Sequence, residues 1–455
     1  MANPLIYNAF GHVTPNHHSH GYWRHDEGQH QLDFHRLEPW VELARQAERG
    51  CFDTVFMADV VGVYGKFRGS IDTSIQTGMQ FPSHDPAVLI SAMAYATQNI
   101  GFVVTSAPMQ EHPFTFARKM STLDHLTSGR IGWNIVTSYL DNAARNFGHS
   151  ALPEHDSRYA WAEEYLEVTY KLWEESWADD ALRLDRDAGI YADPARVRKI
   201  NHVSPRYQVE GPHLVQPSPQ RTPVLFQAGG SEVGRNFAAK HAEATFSAAL
   251  DVPSTAEDVI DIRRRAVAQG RRASDIKILV TLAPIIGSTE EEARRKQREL
   301  RDWFSMDALQ AFWSGALGVD LSAIDPTDRI DRLLETNYVR GSVRAFVQSA
   351  PDGVVTFGDL LRHTWSGRHP GTPEQIADLI AEYASVGVDG FNIVPVTTLG
   401  WWSTFVDEVV PVLRKRGLIR SSYSEGSLRE KLFGQKPRLP EYHSARQQRL
   451  SALAD

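Results

Sequence analysis

The sequence predicts an α/β protein: a TIM (β/α)8 barrel with insertions. Two observations carry that expectation. Eight short, apolar, β-rich runs recur along the 455 residues, and helical patterns alternate with them. Runs such as FDTVFMAD are apolar without alternation, as a strand covered on both faces must be. Eight parallel strands are the number that closes such a barrel. A doubly wound sheet is the structural alternative, and it needs a reversal of strand order.

The elements follow in order. LIYNAF (5–10) reads as the first strand and RLEPWVELARQAER (36–49) as a helix. FDTVFMAD (52–59) is the second strand, PAVLISAMAYATQN (86–99) a helix, and IGFVVTSA (100–107) the third strand. A helix is expected over 113–127, then RIGWNIVTS (130–138) as the fourth strand. TPVLFQAG (222–229), ATFSAAL (244–250), IKILVTLAPII (276–286) and VDGFNIVPV (388–396) complete the set. Residues 176–221 are polar, and 304–372 hold many aromatics and turn signals. Both read as insertions at loops of a single barrel spanning 1–420, where lids and pockets are built. Residues 421–455 form a basic C-terminal extension, expected to wrap over a neighbour or the barrel surface.

Composition excludes several classes. The net charge of −8 argues against nucleic acid and against an anionic membrane surface as partners. No apolar run approaches the roughly 20 residues of a membrane span. The start MANPLIYNAFGH has no signal-peptide pattern, and the one cysteine, Cys51, allows no intramolecular disulfide. The expectation is a cytoplasmic protein with Cys51 as a small core residue. No P-loop, dinucleotide fingerprint, nucleophile elbow or zincin helix is present.

In a TIM barrel the functional groups gather at the C-terminal ends of the strands. Those ends supply Asp59, Thr105, Ser106, Asn134, Ser138, Gly229, Gly230 and Ser231. In QAGGSEVGRNFAAKHAE a strand ends in two glycines and a helix begins at once. Such a turn lets the backbone approach a ligand, and the helix start offers free N–H groups to a phosphate, with Ser231 as N-cap. The other reading is an ordinary capped turn. His155 and Tyr159 are four apart near the start of another helix, so they either face one ligand or form a structural pair on the helix cap. FGHVTPNHHSHGYWRH carries His12, His17, His18, His20 and His25. No metalloenzyme spacing accompanies them, so no metal is expected; they read either as a polar loop of solvated histidines or as the source of an acid or base above the first strand.

Several segments together resemble one family. They are GYWRH (21–25), ERGCFDTVFMADVVGVY (48–64), STLDHLTSGRIGWNIVTSYLDNAARNFG (121–148), EHDSRYAWAEEYLEV (154–168), SPQRTPVLFQAGGS (218–231) and VDGFNIVPV. They are similar to the large subunits of two-component FMN-dependent monooxygenases: the nitrilotriacetate, dibenzothiophene-sulfone and dimethylsulfide group of the bacterial luciferase-like superfamily. The resemblance implies reduced FMN supplied by a separate NAD(P)H:FMN reductase, O2 as co-substrate, and a homodimer or homotetramer. It implies that Asp59, Thr105 and Asn134 line the flavin ring and that His155, Tyr159, Gly230 and Ser231 hold its phosphate. His20 matches a histidine of the sulfone enzymes and His17 one of the dimethylsulfide type, so the acid or base is one of these two. Ala316 stands where the sulfone enzymes place a second pocket histidine, which counts against dibenzothiophene sulfone. The dimethylsulfide type implies oxidation beside sulfur with C–S cleavage. Two other activities occupy similar scaffolds. One is a riboflavin lyase, whose wide aromatic pocket would come from Tyr22, Trp23, Phe56, Phe246 and Trp365. The other is a deazaflavin-dependent oxidoreductase, which lacks the GWNIVTS block.

Overall fold

The structure is a computed structural model that describes residues 4–15, 17–25, 32–330, 356–366, 368–396 and 401–446; the side chains of 362–366 lie outside the description. Eight parallel strands close into one barrel: β1 Ile6–His12, β2 Thr54–Ala58, β3 Gly101–Ser106, β4 Ile131–Ile135, β5 Val224–Gln227, β6 Ala244–Phe246, β7 Lys277–Leu282 and β8 Gly390–Ile393. The order around the barrel follows the chain, and the seam pairs β1 with β8, Ile6 against Gly390. The doubly wound alternative is thereby excluded.

Each strand is buried because helices cover its outer face. In α1 (Glu38–Arg49) the residues Trp40, Leu43, Ala44 and Ala47 are buried, the spacing of one helical stripe. Further helices of this layer are α2 (Pro113–Leu126), α3 (His155–Tyr170), α4 (Glu232–His241), α5 (Val252–Ala268) and α6 (Pro373–Ser385). Inside the barrel a second core forms from Ile6, Phe10, Phe56, Val103, Val224, Phe226, Ala244 and Leu279.

Two expectations need correction. The seventh run breaks at Ala283: residues Pro284–Ile286 leave the barrel and pair with His369–Gly371. Pro284 has no N–H to continue the ladder, and the Ala283 carbonyl instead accepts from the His369 N–H at 3.1 Å. The helix expected over 86–99 begins as a 3-10 turn and ends at Tyr95. Arg130 ends it by donating to the carbonyls of Ala94 and Thr97 at 3.1 and 3.3 Å. The insertion 176–221 holds two small hairpins, Leu182–Asp185 with Ile190–Ala192 and His202–Val203 with Gln208–Val209.

The tail lies on its own barrel, one of the two places expected for it. It packs beneath its own barrel, at the N-terminal ends of the strands. Leu428 and Leu432 join the interior core, and Gly101 leaves the space Leu428 fills. Arg429 is fully buried there. It donates to both Glu243 carboxylate oxygens, at 2.7 and 2.9 Å, and to the carbonyls of Thr222, Pro223 and Pro437. Glu243 in turn accepts from the Leu225 N–H of β5 at 3.0 Å. Arg420 pairs with buried Asp53 at 2.5 Å. A guanidinium fork suits the Arg429 site, because each of its three nitrogens donates to an oxygen in a different direction.

Removing one partner of a buried pair strands the other charge, which typically costs about 3–5 kcal/mol. Arg429→Met is expected to lower the stability by about that amount, and the double change Arg429→Met with Glu243→Gln by less. Urea denaturation of the two variants checks this. Equal losses would mean the pair is not coupled.

Candidate functional site

A cavity of about 390 Å³ opens at the C-terminal mouth of the barrel. Every strand contributes to it: Phe10 from β1, Asp59 after β2, Thr105 from β3, Asn134 from β4, Gln227 from β5, Phe246 from β6, Thr281 from β7 and Asn392 from β8. Its size falls in the range of small-molecule and cofactor sites. Asp59, Thr105, Asn134, His155, Tyr159, Gly230 and Ser231 all line it, although they come from five separate segments.

One end is built for an anion. Ser231 caps α4 and its hydroxyl accepts from the Gly234 N–H at 3.1 Å. The first turn of this ten-residue helix therefore faces the cavity with backbone donors to spare. Two glycines on either side of the cap, Gly229 and Gly234, are required by space. A side chain at Gly229 would meet the Tyr159 hydroxyl at 2.5 Å, and one at Gly234 would meet the same oxygen at 2.6 Å. The Tyr159 phenol is held by Ser231, Thr137 and Gln227, and burial raises its pKa. His155 Nδ1 lies 2.7 Å from Asp156 Oδ1, which orients the ring. Arg235 fixes the loop, donating to Gly230 O at 3.2 Å while paired with Asp258 at 2.7 Å.

The other end is less polar. Asn134 donates to Thr105 Oγ1 at 3.0 Å, while its buried Oδ1 has no partner. Gln227 Oε1 is buried without a partner as well. Asp59 sits at the rim of β2, and its pKa is pushed up to about 7 by burial first and by the charge of Asp85 second. Phe10, Phe56, Ala58, Val60, Val61 and Phe246 make the surrounding wall.

Of the two candidate histidines, His17 lines the cavity. His20 does not; it is buried behind, against the rings of Phe304 and Phe312 at 5.6 and 5.7 Å. The structure brings His17, and not His20, to this cavity: the chain turns after His17, and His20 packs into the late insertion. Tyr22 and Trp23 also miss the cavity. Tyr22 is buried among Ile285, Leu300 and Val396 and stacks on His25. The Trp23 indole donates to Thr77 O at 2.9 Å. Both lie on a 3-10 turn, Tyr22–Arg24, that carries them away from the barrel axis. Trp365 belongs to the helix Phe357–Ser366, and its side chain lies outside the described residues. Cys51 is buried, and its sulfur accepts from Arg414 at 3.4 Å. Among the described residues no group of three or more His, Cys, Asp or Glu side chains is placed to hold a metal.

Sequence reasoning missed Arg158 and Gln227. Arg158 is a buried cation lining the anion end, one position before Tyr159 and one turn after His155. The three share a helical face at spacings of three and four, which is the signal that was available. Gln227 is the last residue of β5 and carries no local mark of its role.

Asp59 makes a stability prediction. Between the ordinary carboxylate pKa of 3.8 and about 7, the folded state holds a proton that the unfolded state has lost. Asp59 therefore lowers stability as pH rises through that window, and the loss is complete above it. Asp59→Asn should raise the urea midpoint more at pH 8 than at pH 5. An equal shift at both values would contradict the raised pKa.

With the geometry in place, relatedness can be stated. The family model described as luciferase-like monooxygenase matches residues 9–390. The long-chain alkane monooxygenase of Geobacillus thermodenitrificans is 43% identical over 98% of this chain and 98% of that protein. A crystal structure of long-chain alkane monooxygenase superposes with a TM-score of 0.90 at 42% identity, covering 98% of this chain and all of the other. The dimethyl-sulfide monooxygenase of Hyphomicrobium sulfonivorans is 41% identical over 99% of this chain and 94% of its own. A riboflavin lyase solved with modified FMN and riboflavin superposes with a TM-score of 0.90 at 37% identity, covering 97% of this chain and 98% of that one. The chain is an oxidoreductase that belongs to the luciferase-like monooxygenase family.

Proposed function

We propose that the protein binds reduced FMN, delivered by a separate NAD(P)H:FMN reductase, and uses O2 to oxidise a small uncharged organic molecule. The observation that carries this reading is the polarity of one cavity: an anion end at the start of α4 and an apolar end above β1, β2 and β6. FMN has that same polarity, a phosphate on a flexible chain and a flat ring.

The residues fit the cofactor. Ser231, Tyr159, His155 and Arg158 would hold the phosphate, together with the N–H groups of the α4 turn. Asp59, Thr105 and Asn134 would border the ring, whose N–H groups match the partnerless oxygen of Asn134. Bound reduced FMN would supply the electrons that activate O2. The chain's own contribution is to orient that ring, keep water from it through Phe10, Phe56 and Phe246, and place His17 at the same wall.

The substrate end limits the chemistry. Its wall is apolar, and the buried cation Arg158 lies at the phosphate end, so a polyanionic substrate has no counter-charge among the described residues there. A dialkyl sulfide or an alkane fits this wall. Oxidation of a carbon beside sulfur gives a hemithioacetal, which splits into a thiol and an aldehyde with C–S cleavage. Riboflavin lyase activity is the second reading, favoured by the close superposition on that enzyme. It retains Phe56 and Phe246 but loses Tyr22 and Trp23 as pocket walls.

Two measurements test the proposal. Fluorescence titration should show FMN binding more tightly than riboflavin. Ser231→Ala and Arg158→Ala should each weaken FMN by roughly 10- to 100-fold, from the loss of a charge-assisted hydrogen bond of about 1.5–3 kcal/mol. Riboflavin affinity should not change. Equal loss for both flavins would place the phosphate elsewhere. In the second test, a flavin reductase, NADH, FMN and O2 are supplied with dialkyl sulfides, alkanes or riboflavin. Oxygen incorporated into a sulfide or alkane supports the monooxygenase reading, and loss of riboflavin to lumichrome supports the lyase.

A further inference from the structure

We propose that His17 is held as a neutral imidazole with its proton on Nε2, presenting a hydrogen-bond donor to the cavity, and that Gln80 and His12 are the positioning residues that fix this tautomer. The donor's role toward substrate rests on the cavity being the substrate chamber; the tautomer itself does not.

The argument begins with a chain of hydrogen bonds. The Tyr64 hydroxyl donates to Gln80 Oε1 at 3.0 Å. Gln80 Nε2 donates to the His17 carbonyl oxygen at 3.1 Å. Together these set the amide's orientation, because a flipped amide would press Oε1 against a carbonyl oxygen and turn its NH2 toward the Tyr64 proton. The same Nε2 lies 3.3 Å from His17 Nδ1. His12 Nδ1 lies 2.8 Å from that same nitrogen. Two ring nitrogens at this distance bond only if one of them carries the proton.

Placing that proton on His17 has two costs. It would face the Gln80 N–H, and it would force the His12 proton onto His12 Nε2. That nitrogen is buried with no partner, and an orphaned N–H there carries a full desolvation penalty. Placing the proton on His12 Nδ1 removes both problems. His17 Nδ1 then receives His12 and Gln80 as donors, so the proton of neutral His17 resides on Nε2. Nε2 has no hydrogen-bond partner among the described residues, and the ring lines the cavity. Burial together with the charges of neighbouring histidines keeps both rings neutral, with the His12 pKa pushed down to about 3.

The other end of the chain follows. Tyr64 spends its proton on Gln80, so the bond between the Tyr64 and Tyr139 hydroxyls must use the Tyr139 proton. Tyr139 also lines the cavity, and its oxygen is left as an acceptor. One uncharged donor and one uncharged acceptor thus face the cavity, both set by Gln80. Neutral groups of this kind recognise an uncharged polar atom and offer no site for a carboxylate counter-ion.

The test uses the full chain labelled with 15N-histidine and a long-range 15N–1H correlation near pH 7, with no flavin present. The His17 signals are those lost in His17→Gln. The expected pattern is Nε2 protonated and Nδ1 bare. In Gln80→Glu the carboxylate can accept from Nδ1, and the pattern should change to Nδ1-protonated or doubly protonated. A native His17 protonated at Nδ1, or charged, would overturn the proposal. An unchanged pattern in Gln80→Glu would remove Gln80 as its cause. If Gln80→Glu does not fold, the native spectrum still decides the tautomer. Failure of the flavin-site reading shows separately, in the FMN titration.

Discussion

The seam between β1 and β8 is the constraint on which the rest depends. A parallel sheet left open would expose two edges and scatter its strand ends along a line. Closing it brings eight C-terminal ends around one mouth, so residues separated by more than 380 positions, Phe10 and Asn392, line one cavity. The closure is tight. A side chain at Gly390 would collide with the Ile6 carbonyl, and Gly390 faces Ile6 across the seam. The lower end is sealed from within the same chain, where Leu428, Leu432 and Arg429 fill and tie the N-terminal ends of the strands. One end is sealed, leaving the other to hold a ligand.

Electrostatics divide that mouth. Arg158, the α4 turn, His155 and Tyr159 gather donors at one side, where an anion gains from each of them. On the other side the ionisable groups are driven toward their neutral forms by burial: Asp59 upward to about 7, His12 downward to about 3, and His17 below its ordinary range. A cofactor with a charged tail and a reactive ring is therefore oriented without a second charge near the reacting end. The same neutrality suits chemistry in which water and stray protons must be kept out.

Much of this was legible in the sequence because it depends on local order. Continuous apolar runs mark strands that are covered on both faces, and the glycine pair before Ser231 marks a helix start that must approach a ligand. The residues proposed to face the flavin sit on those strand ends or on the first turn of α3, so their positions follow from the barrel. What was not legible depends on where the chain turns after leaving a strand. Nothing local separates His17 from His20, three residues apart, yet one lines the cavity and the other packs on Phe304 and Phe312. Tyr22 and Trp23 were misplaced for the same reason. Whether the tail covers a neighbour or its own barrel was not legible, because the partners of Arg420 and Arg429 are distant, Asp53 and Glu243. Gln80 carries no mark in its own segment, since its meaning comes from Tyr64 and His17.

The most direct test of the central claim is a crystal structure of the protein with FMN bound. The phosphate is predicted to lie at the start of α4, within hydrogen-bond distance of Ser231 Oγ and the Tyr159 hydroxyl, with the ring over β2, β3 and β4 beside Asp59, Thr105 and Asn134. Density for FMN outside the barrel mouth, or a ring at the α4 end with its phosphate toward Phe56 and Phe246, would contradict the account.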